Sequence, residues 1–208
     1  MLKLFKFLRK LYEKKLENEV KNGNLPNHIM VVTDQNDFVE NTKSFYRLIE
    51  WCRKFKIEEL TICLHIYSKE ETEKLISELS SNLKKYSLRI ITKEKTIENG
   101  NGDLKLNFIL GYGGRAEITD AVKEIAKSVR EGKLLPDEID ENEIEKYLRI
   151  KNPPDLIVRA GEEIPDFLIW QSIYSELYFL DIEWSALRYV DFLRCLRGYQ
   201  RRERRFGR

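Results

Sequence analysis

The sequence predicts an α/β domain built on a central, mostly parallel β-sheet flanked by helices. Three observations predict it. Short runs rich in Val, Ile and Leu, bounded by turn residues, alternate with segments whose apolar residues recur at helical spacing. No internal repeat and no domain linker interrupts that alternation. The 208 residues, 42% hydrophobic and 11% aromatic, suffice for one core, so disorder is excluded despite 35% charged residues.

From Leu2 to Asn22, one side of a helix carries Phe5, Leu8, Tyr12, Leu16 and Val20, the other Lys3, Lys6, Lys10, Lys14 and Lys21, and Gly23 ends it. Residues 1–23 thus read as an amphipathic helix ahead of a single domain over residues 24–208. His28 to Thr33 is too short and β-branched for a helix and lies between Pro26 and the polar run Asp34 to Asp37, which makes it a buried strand. Phe45, Leu48, Ile49, Cys52 and Phe55 return to helical spacing. Leu60 to Ile66 is a second buried strand, followed by a helix with Leu75, Ile76, Leu79 and Leu83 on its apolar face. Leu88 to Thr92 and Leu104 to Leu110 are two more strands, separated by a polar, glycine-containing loop from Lys93 to Asp103. Ile118, Ala121, Val122, Ile125, Ala126 and Val129 define the clearest helix, which stops near Gly132. A short acidic helix from Glu138 to Leu148 leads to the turn Asn152 to Asp155. Leu156 to Val158 is a strand, Phe167 to Tyr174 a helical turn or two, and Leu177 to Leu180 the last strand. The final helix carries Tyr189, Phe192, Leu193, Leu196 and Tyr199.

Thirty-seven basic and 35 acidic residues leave a net charge of +2, which argues against a general nucleic-acid coat and leaves room for local basic patches. Cys52, Cys63 and Cys195 lie in apolar periodic segments without metal-binding spacing, as core filler in a reducing compartment. No apolar run approaches the ~20 residues of a membrane span, and the N-terminus has no uninterrupted apolar signal core. The expectation is a cytoplasmic protein, soluble or peripheral on a membrane.

In such sheets ligands sit beyond the carboxyl ends of the strands, which singles out Asp34 to Asp37, Gly111 to Arg115, Arg159 to Glu162 and the stretch before Glu176. Gly113, Gly114 and Arg115 join a strand to a helix N-terminus, the outline of an anion site or equally of a tight turn with a solvated arginine. Arg159 can fork onto a phosphate or pair internally with Glu162. Asp34 can hold Mg²⁺ against a phosphorylated substrate or cap a helix. Glu176 is a functional acid or a satisfied structural one. His28 and His65 lack a partner at metal-ligand spacing and receive no role. The run Arg201 to Arg208 is a solvated helix end, or a phosphate or membrane-surface contact.

Asn107 to Ile118, Pro154 to Arg159, and the stretch from Phe167 to Phe179 together with Tyr199-Gln-Arg-Arg-Glu-Arg-Arg-Phe-Gly207 closely resemble the cis-prenyltransferases, the undecaprenyl and dehydrodolichyl diphosphate synthase family. The likeness covers nearly the whole chain. It implies a dimer with an apolar tunnel for a growing polyisoprenoid, and the joining of isopentenyl diphosphate to an allylic diphosphate with Mg²⁺. It implies Asp34 and Asn36 as catalytic residues and Asp34 and Glu176 as metal ligands. Gly113, Gly114, Arg115, Arg159, Gly161, Arg205 and Gly207 become the substrate-binding set, with Arg205-Phe-Gly207 reaching the partner's isopentenyl diphosphate.

The departures from the family pattern are local. Asp-Gly-Asn-Gly-Arg is replaced by Asp34-Gln-Asn-Asp-Phe38, the following basic segment is cut short, and Asp37 and Glu40 would repel a diphosphate. The Ser-Thr-Glu-Asn motif after the second strand is absent, the segment from Arg159 to Phe167 is contracted by one arginine and a serine, and Gly111 stands where Asn is usual. The resulting expectation is the accessory subunit of a two-component cis-prenyltransferase, which the Nogo-B receptor resembles. It would make a polyprenyl diphosphate lipid carrier with a second, full-motif subunit. The alternatives are an active homodimeric synthase and a basic-tailed module binding anionic lipid or nucleic acid. Nucleic acid ranks last, because no aromatic residues interleave with the basic ones on a strand platform.

Overall fold

The computed structural model describes residues 2–66, 68–161, 167 and 169–202, with side chains from residue 7 on. In chain order the elements are α1 (Leu2–Lys21), β1 (His28–Asp34), α2 (Gln35–Glu40), α3 (Thr42–Lys54), β2 (Glu59–His65), α4 (Lys69–Asn82), β3 (Ser87–Ile91), β4 (Thr96–Asn99), β5 (Lys105–Leu110), α5 (Gly114–Arg130), α6 (Glu141–Tyr147), β6 (Leu156–Ala160), β7 (Glu176–Leu180) and α7 (Tyr189–Arg201). The seven strands lie in the order β4-β3-β5-β2-β1-β6-β7, and every pair is parallel except β3 with β4. The chain runs outward from β1 through β2 and later returns to β6 on the other side of β1. The switch point therefore falls between β1 and β6.

All of β1 from His28 to Thr33 is buried, as a central parallel strand covered on both faces must be. Alternation divides its residues between two cores. Ile29 and Val31 join Leu60, Ile62, Leu106, Phe108, Leu156 and Val158 in the larger one, together with apolar residues of α1, α3, α4 and α7. Met30 and Val32 join Cys63, Ile109, Ile157, Tyr112, Ile150 and Phe167 in the smaller one. All three cysteines are free and buried, and burial pushes each thiol pKa up.

Three sequence expectations change. The loop from Lys93 to Asp103 contains β4, an antiparallel edge strand. Its only inward side chain is the half-buried Ile97, so the pattern carries almost no alternation to detect. Of the apolar face expected for α5, only Ala121 and Ile125 are buried, while Val122 is 56% exposed. The N-terminal helix is half core: Leu16 and Val20 belong to the larger cluster, whereas Phe7, Leu8, Leu11 and Tyr12 face outward. Gln200 of α7 donates Nε2–H to the Val20 carbonyl at 2.8 Å, fixing α1 to the last helix.

At the amino end of the sheet lies a buried polar network. The Asn152 carbonyl can only accept, so His28 carries its hydrogen on Nδ1 (3.1 Å) and accepts at Nε2 from the Thr61 hydroxyl (2.8 Å). Asn107 Nδ2 donates to Thr61 Oγ1 (3.1 Å) and Glu59 Oε1 (2.6 Å), and Asn152 Nδ2 donates to Glu59 Oε2 (2.7 Å). Burial lowers the His28 pKa below its usual 6.5, against the opposing pull of the Glu59 carboxylate. An unfolded His28 thus binds a proton that the folded one refuses, and stability falls as pH drops through about 6.5. Urea midpoints should be lower at pH 5.5 than at pH 7.5, with a smaller difference in His28→Gln; an equal difference in both proteins would refute this origin.

Candidate active site

Asp34 closes β1 and His65 closes β2, and the two are direct partners in the parallel register, on strands about 4.8 Å apart. Two residues earlier, Val32 pairs with Arg159 of β6. Strand alternation puts Asp34, His65 and Arg159 on the same face as Met30 and Val32, which is the face covered by the start of α5. Asp34 is half-buried, and its Oδ1 accepts the Asp37 N–H at 2.8 Å, so it caps α2. Asn36 is exposed in the first turn of that helix.

On the same side, Gly113 is the N-cap of α5 with no side-chain cap, and Gly114 and Arg115 open the helix. A Cβ on Gly114 would stand 2.8 Å from Ile169 Cγ1 and 3.0 Å from Ile169 N, so only glycine lets Ile169 lie against the helix start. Gly161 follows β6 with φ +88°, where a side chain would be strained. The His65 ring lies 4.8 Å from that of Phe167. In the sequence His65 has no second ligand at metal spacing and so is not singled out. The available signal was its place as the last residue of a strand, equivalent to that of Asp34.

The electrostatics of the switch point are negative. A cleft of about 490 Å³ over the ends of β6 and β7 is lined by Asp37, Gly161, Phe179, Asp181 and Glu183 among others, with no lysine or arginine in its wall among the described residues. The Asp37 pKa is raised, first by burial and then by Asp34, Glu40 and Glu183. Phe38 occupies the position of the missing arginine and is 2% exposed, its ring 4.9 Å from Phe45 and 5.7 Å from Phe108. The Trp184 ring lies 4.9 Å from that of Phe45, tilted by 40°. An apolar void beside Trp184, walled also by Ile29, Val31 and Leu48, has room for only about 10 Å³, far less than an isoprenoid chain.

Thus Asp34, Asn36, Gly113, Gly114, Arg115, Arg159 and Gly161 all sit at the carboxyl edge, whereas Glu176 does not. It opens β7 in register with Leu156, five residues below the level of Asp34, or about 16 Å along the strands. Its Oε2 accepts from Arg202 Nη1 at 2.8 Å. Within one chain, therefore, Asp34 and Glu176 stand at opposite ends of the sheet, and Glu176 is paired with Arg202. Arg205, Gly207 and Glu162 lie outside the described residues. Among the described residues, no three His, Cys, Asp or Glu side chains are grouped to hold a metal.

A strand-end carboxylate, an arginine on the adjoining strand and a glycine-rich helix N-terminus at one edge of the sheet are features that parallel α/β proteins use for phosphate esters. Residues 74–207 match the family described as putative undecaprenyl diphosphate synthase. The chain belongs to this family, the cis-prenyltransferases. It is 35% identical, over 99% of its own length and 96% of the other's, to the tritrans,polycis-undecaprenyl-diphosphate synthase (geranylgeranyl-diphosphate specific) of Thermococcus kodakarensis. The protein of that name from Methanocaldococcus jannaschii is 36% identical over 95% of this chain and 88% of its own. Among solved structures, a probable undecaprenyl diphosphate synthase from Campylobacter jejuni superimposes with TM-score 0.70 at 25% identity, over 89% of this chain and all of that one. Lavandulyl diphosphate synthase from Lavandula x intermedia shares the fold, with TM-score 0.72 at 24% identity over 91% of this chain and all of that one. The Thermococcus alignment spans 252 positions against 208 residues here, so at least 44 positions are gaps in this chain. Large contraction within a preserved fold fits the shortened segments after Asp34 and Arg159.

Proposed function

We propose that this chain is a polyprenyl diphosphate synthase, complete as a homodimer, that joins isopentenyl diphosphate to an allylic diphosphate. The observation that carries the reading is the convergence of Asp34, Arg159 and Gly113–Arg115 on one face of the carboxyl edge, in a chain this similar to proteins named as synthases. Those names point to geranylgeranyl diphosphate as the primer. In the reaction the allylic carbon becomes cation-like as diphosphate departs, the isopentenyl double bond supplies the electrons of the new C–C bond, and a proton is lost. Arg159, Arg115 and the α5 backbone then have one task, to hold phosphoryl charge. Asp34 spends one oxygen on its cap and has the other for Mg²⁺, whose remaining ligands would be phosphate oxygens and water. Bound there, Mg²⁺ would neutralise leaving-group charge and offset the carboxylates of Asp37 and Glu183.

A second reading, the accessory subunit of a heteromer, is favoured by Phe38, buried where the family pattern has an arginine, and by Asp37 in the wall of the acidic cleft. The test is incorporation of radiolabelled isopentenyl diphosphate into geranylgeranyl diphosphate by the purified full-length chain with Mg²⁺. Long polyprenyl products are expected. Incorporation only after a full-motif chain is added would overturn the homodimer in favour of the second reading. Among the described residues no helix is long and apolar enough to cross a membrane. Peripheral attachment, as part of this proposal, would use Phe7, Leu8 and Leu11 of α1 with Arg9, Lys10 and Lys14.

A further inference from the structure

We infer that a diphosphate is held in a lysine-lined cleft over the carboxyl ends of β2, β3 and β5, on the opposite side of the edge from the acidic cleft. This deepens the proposed function and rests on it for the source of the diphosphate, not for the site itself. The cleft encloses about 460 Å³, and its wall includes Lys69 and Thr72 of α4, Lys93 and Lys95 of the β3–β4 turn, and Gly111, the first residue of the loop that leads to Arg115.

Charge separates the two clefts. Three lysines against Glu73 and Glu94 leave the wall of this one net positive, whereas the other presents Asp37, Asp181 and Glu183 with no cation in its wall among the described residues. A diphosphate is attracted to the first and repelled from the second. Lys95 is already engaged, its Nζ 2.8 Å and 3.0 Å from the Glu73 carboxylate oxygens. Among the described residues neither Lys69 nor Lys93 forms an ion pair, so two ammonium groups are available to an incoming anion.

The turn that presents them is braced. Thr92 donates its N–H to the Lys95 carbonyl at 2.9 Å, and its Oγ1 accepts the Lys95 N–H at 3.1 Å. Arg149 reaches across from the segment before β6 and donates from Nη2 to the Lys93 carbonyl at 2.8 Å and from Nη1 to the Thr92 carbonyl. Facing the turn, α4 starts at a Ser68 cap, which directs the positive end of a 14-residue helix toward the cleft. A guanidinium clamping the main chain of an exposed turn keeps the Lys93 backbone fixed before any ligand arrives, and such preorganisation favours binding.

The test is calorimetric titration of the full-length protein with inorganic pyrophosphate in magnesium-free buffer, so that no carboxylate-held cation contributes. Lys69→Ala/Lys93→Ala, changing two exposed side chains, is expected to lose about tenfold or more in affinity, while Arg115→Ala/Arg159→Ala keeps this binding event. Equal affinity in the lysine variant and the parent would overturn the inference, as would no pyrophosphate binding by the parent. Neither result touches the proposed function, which stands or falls on product formation. Repeating the titration with isopentenyl diphosphate identifies the source. The same lysine-dependent loss assigns a substrate headgroup, and binding of pyrophosphate alone assigns the departing product.

Discussion

Phe38→Ala is expected to destabilise the domain by about 3–5 kcal/mol, the cost of emptying a fully buried aromatic site. For a chain of this size each kcal/mol moves the thermal midpoint by about 2–4 °C, so the melting temperature should fall by roughly 6–20 °C. The reason is positional. Phe38 lies in α2, is 2% exposed, and touches Phe45 of α3 and Phe108 of β5, so it joins two helices to the sheet. A urea midpoint unchanged from the parent would show that the ring is not part of the core. The same packing explains why restoring arginine at position 38 would not rebuild a phosphate site, since an unpaired guanidinium in that cluster would carry a desolvation cost of several kcal/mol.

Arg159→Ala should lower kcat/KM about ten- to a hundredfold in the assembly that proves active, through loss of a charge-assisted phosphate contact of about 1.5–3 kcal/mol. Arg159 is half-buried at the end of β6, two positions before the level of Asp34, and shares its face. Arg159→Lys should recover only part of the loss, because an ammonium cannot fork onto two phosphate oxygens. Steady-state kinetics, with circular dichroism to confirm an unchanged fold, decide it. Parent-like kinetics in folded Arg159→Ala would remove this residue from the site.

Much of the architecture was legible because its signals are local. The strands around Val31, Ile62, Phe108 and Ile157 announce themselves as short β-branched or apolar runs, and α3 and α7 by apolar spacing because each buries one stripe, whereas the equally regular spacing of α5 marks a helix that buries only Ala121 and Ile125 of it. The edge strand β4 was not legible, because it pairs on one side only and turns a single residue inward. The C-terminal motifs are specific enough to identify the family, and the alternation alone places Asp34 and Arg159 near strand ends and Arg115 at a helix start.

Fold class, family and the strand-end positions of Asp34 and Arg159 are therefore encoded locally along the chain. Only the tertiary structure decided which residues share a place. Register put His65 beside Asp34 and put Glu176 about 16 Å away at the other end of the sheet, paired with Arg202. Packing turned Phe38 from a missing cation into a core residue. Long-range contacts gathered Lys69, Lys93 and Lys95 from α4 and the β3–β4 turn into one wall. The physical reason is that periodicity and propensity act over a few bonds, whereas charge and contact act through space between residues that the chain alone keeps far apart.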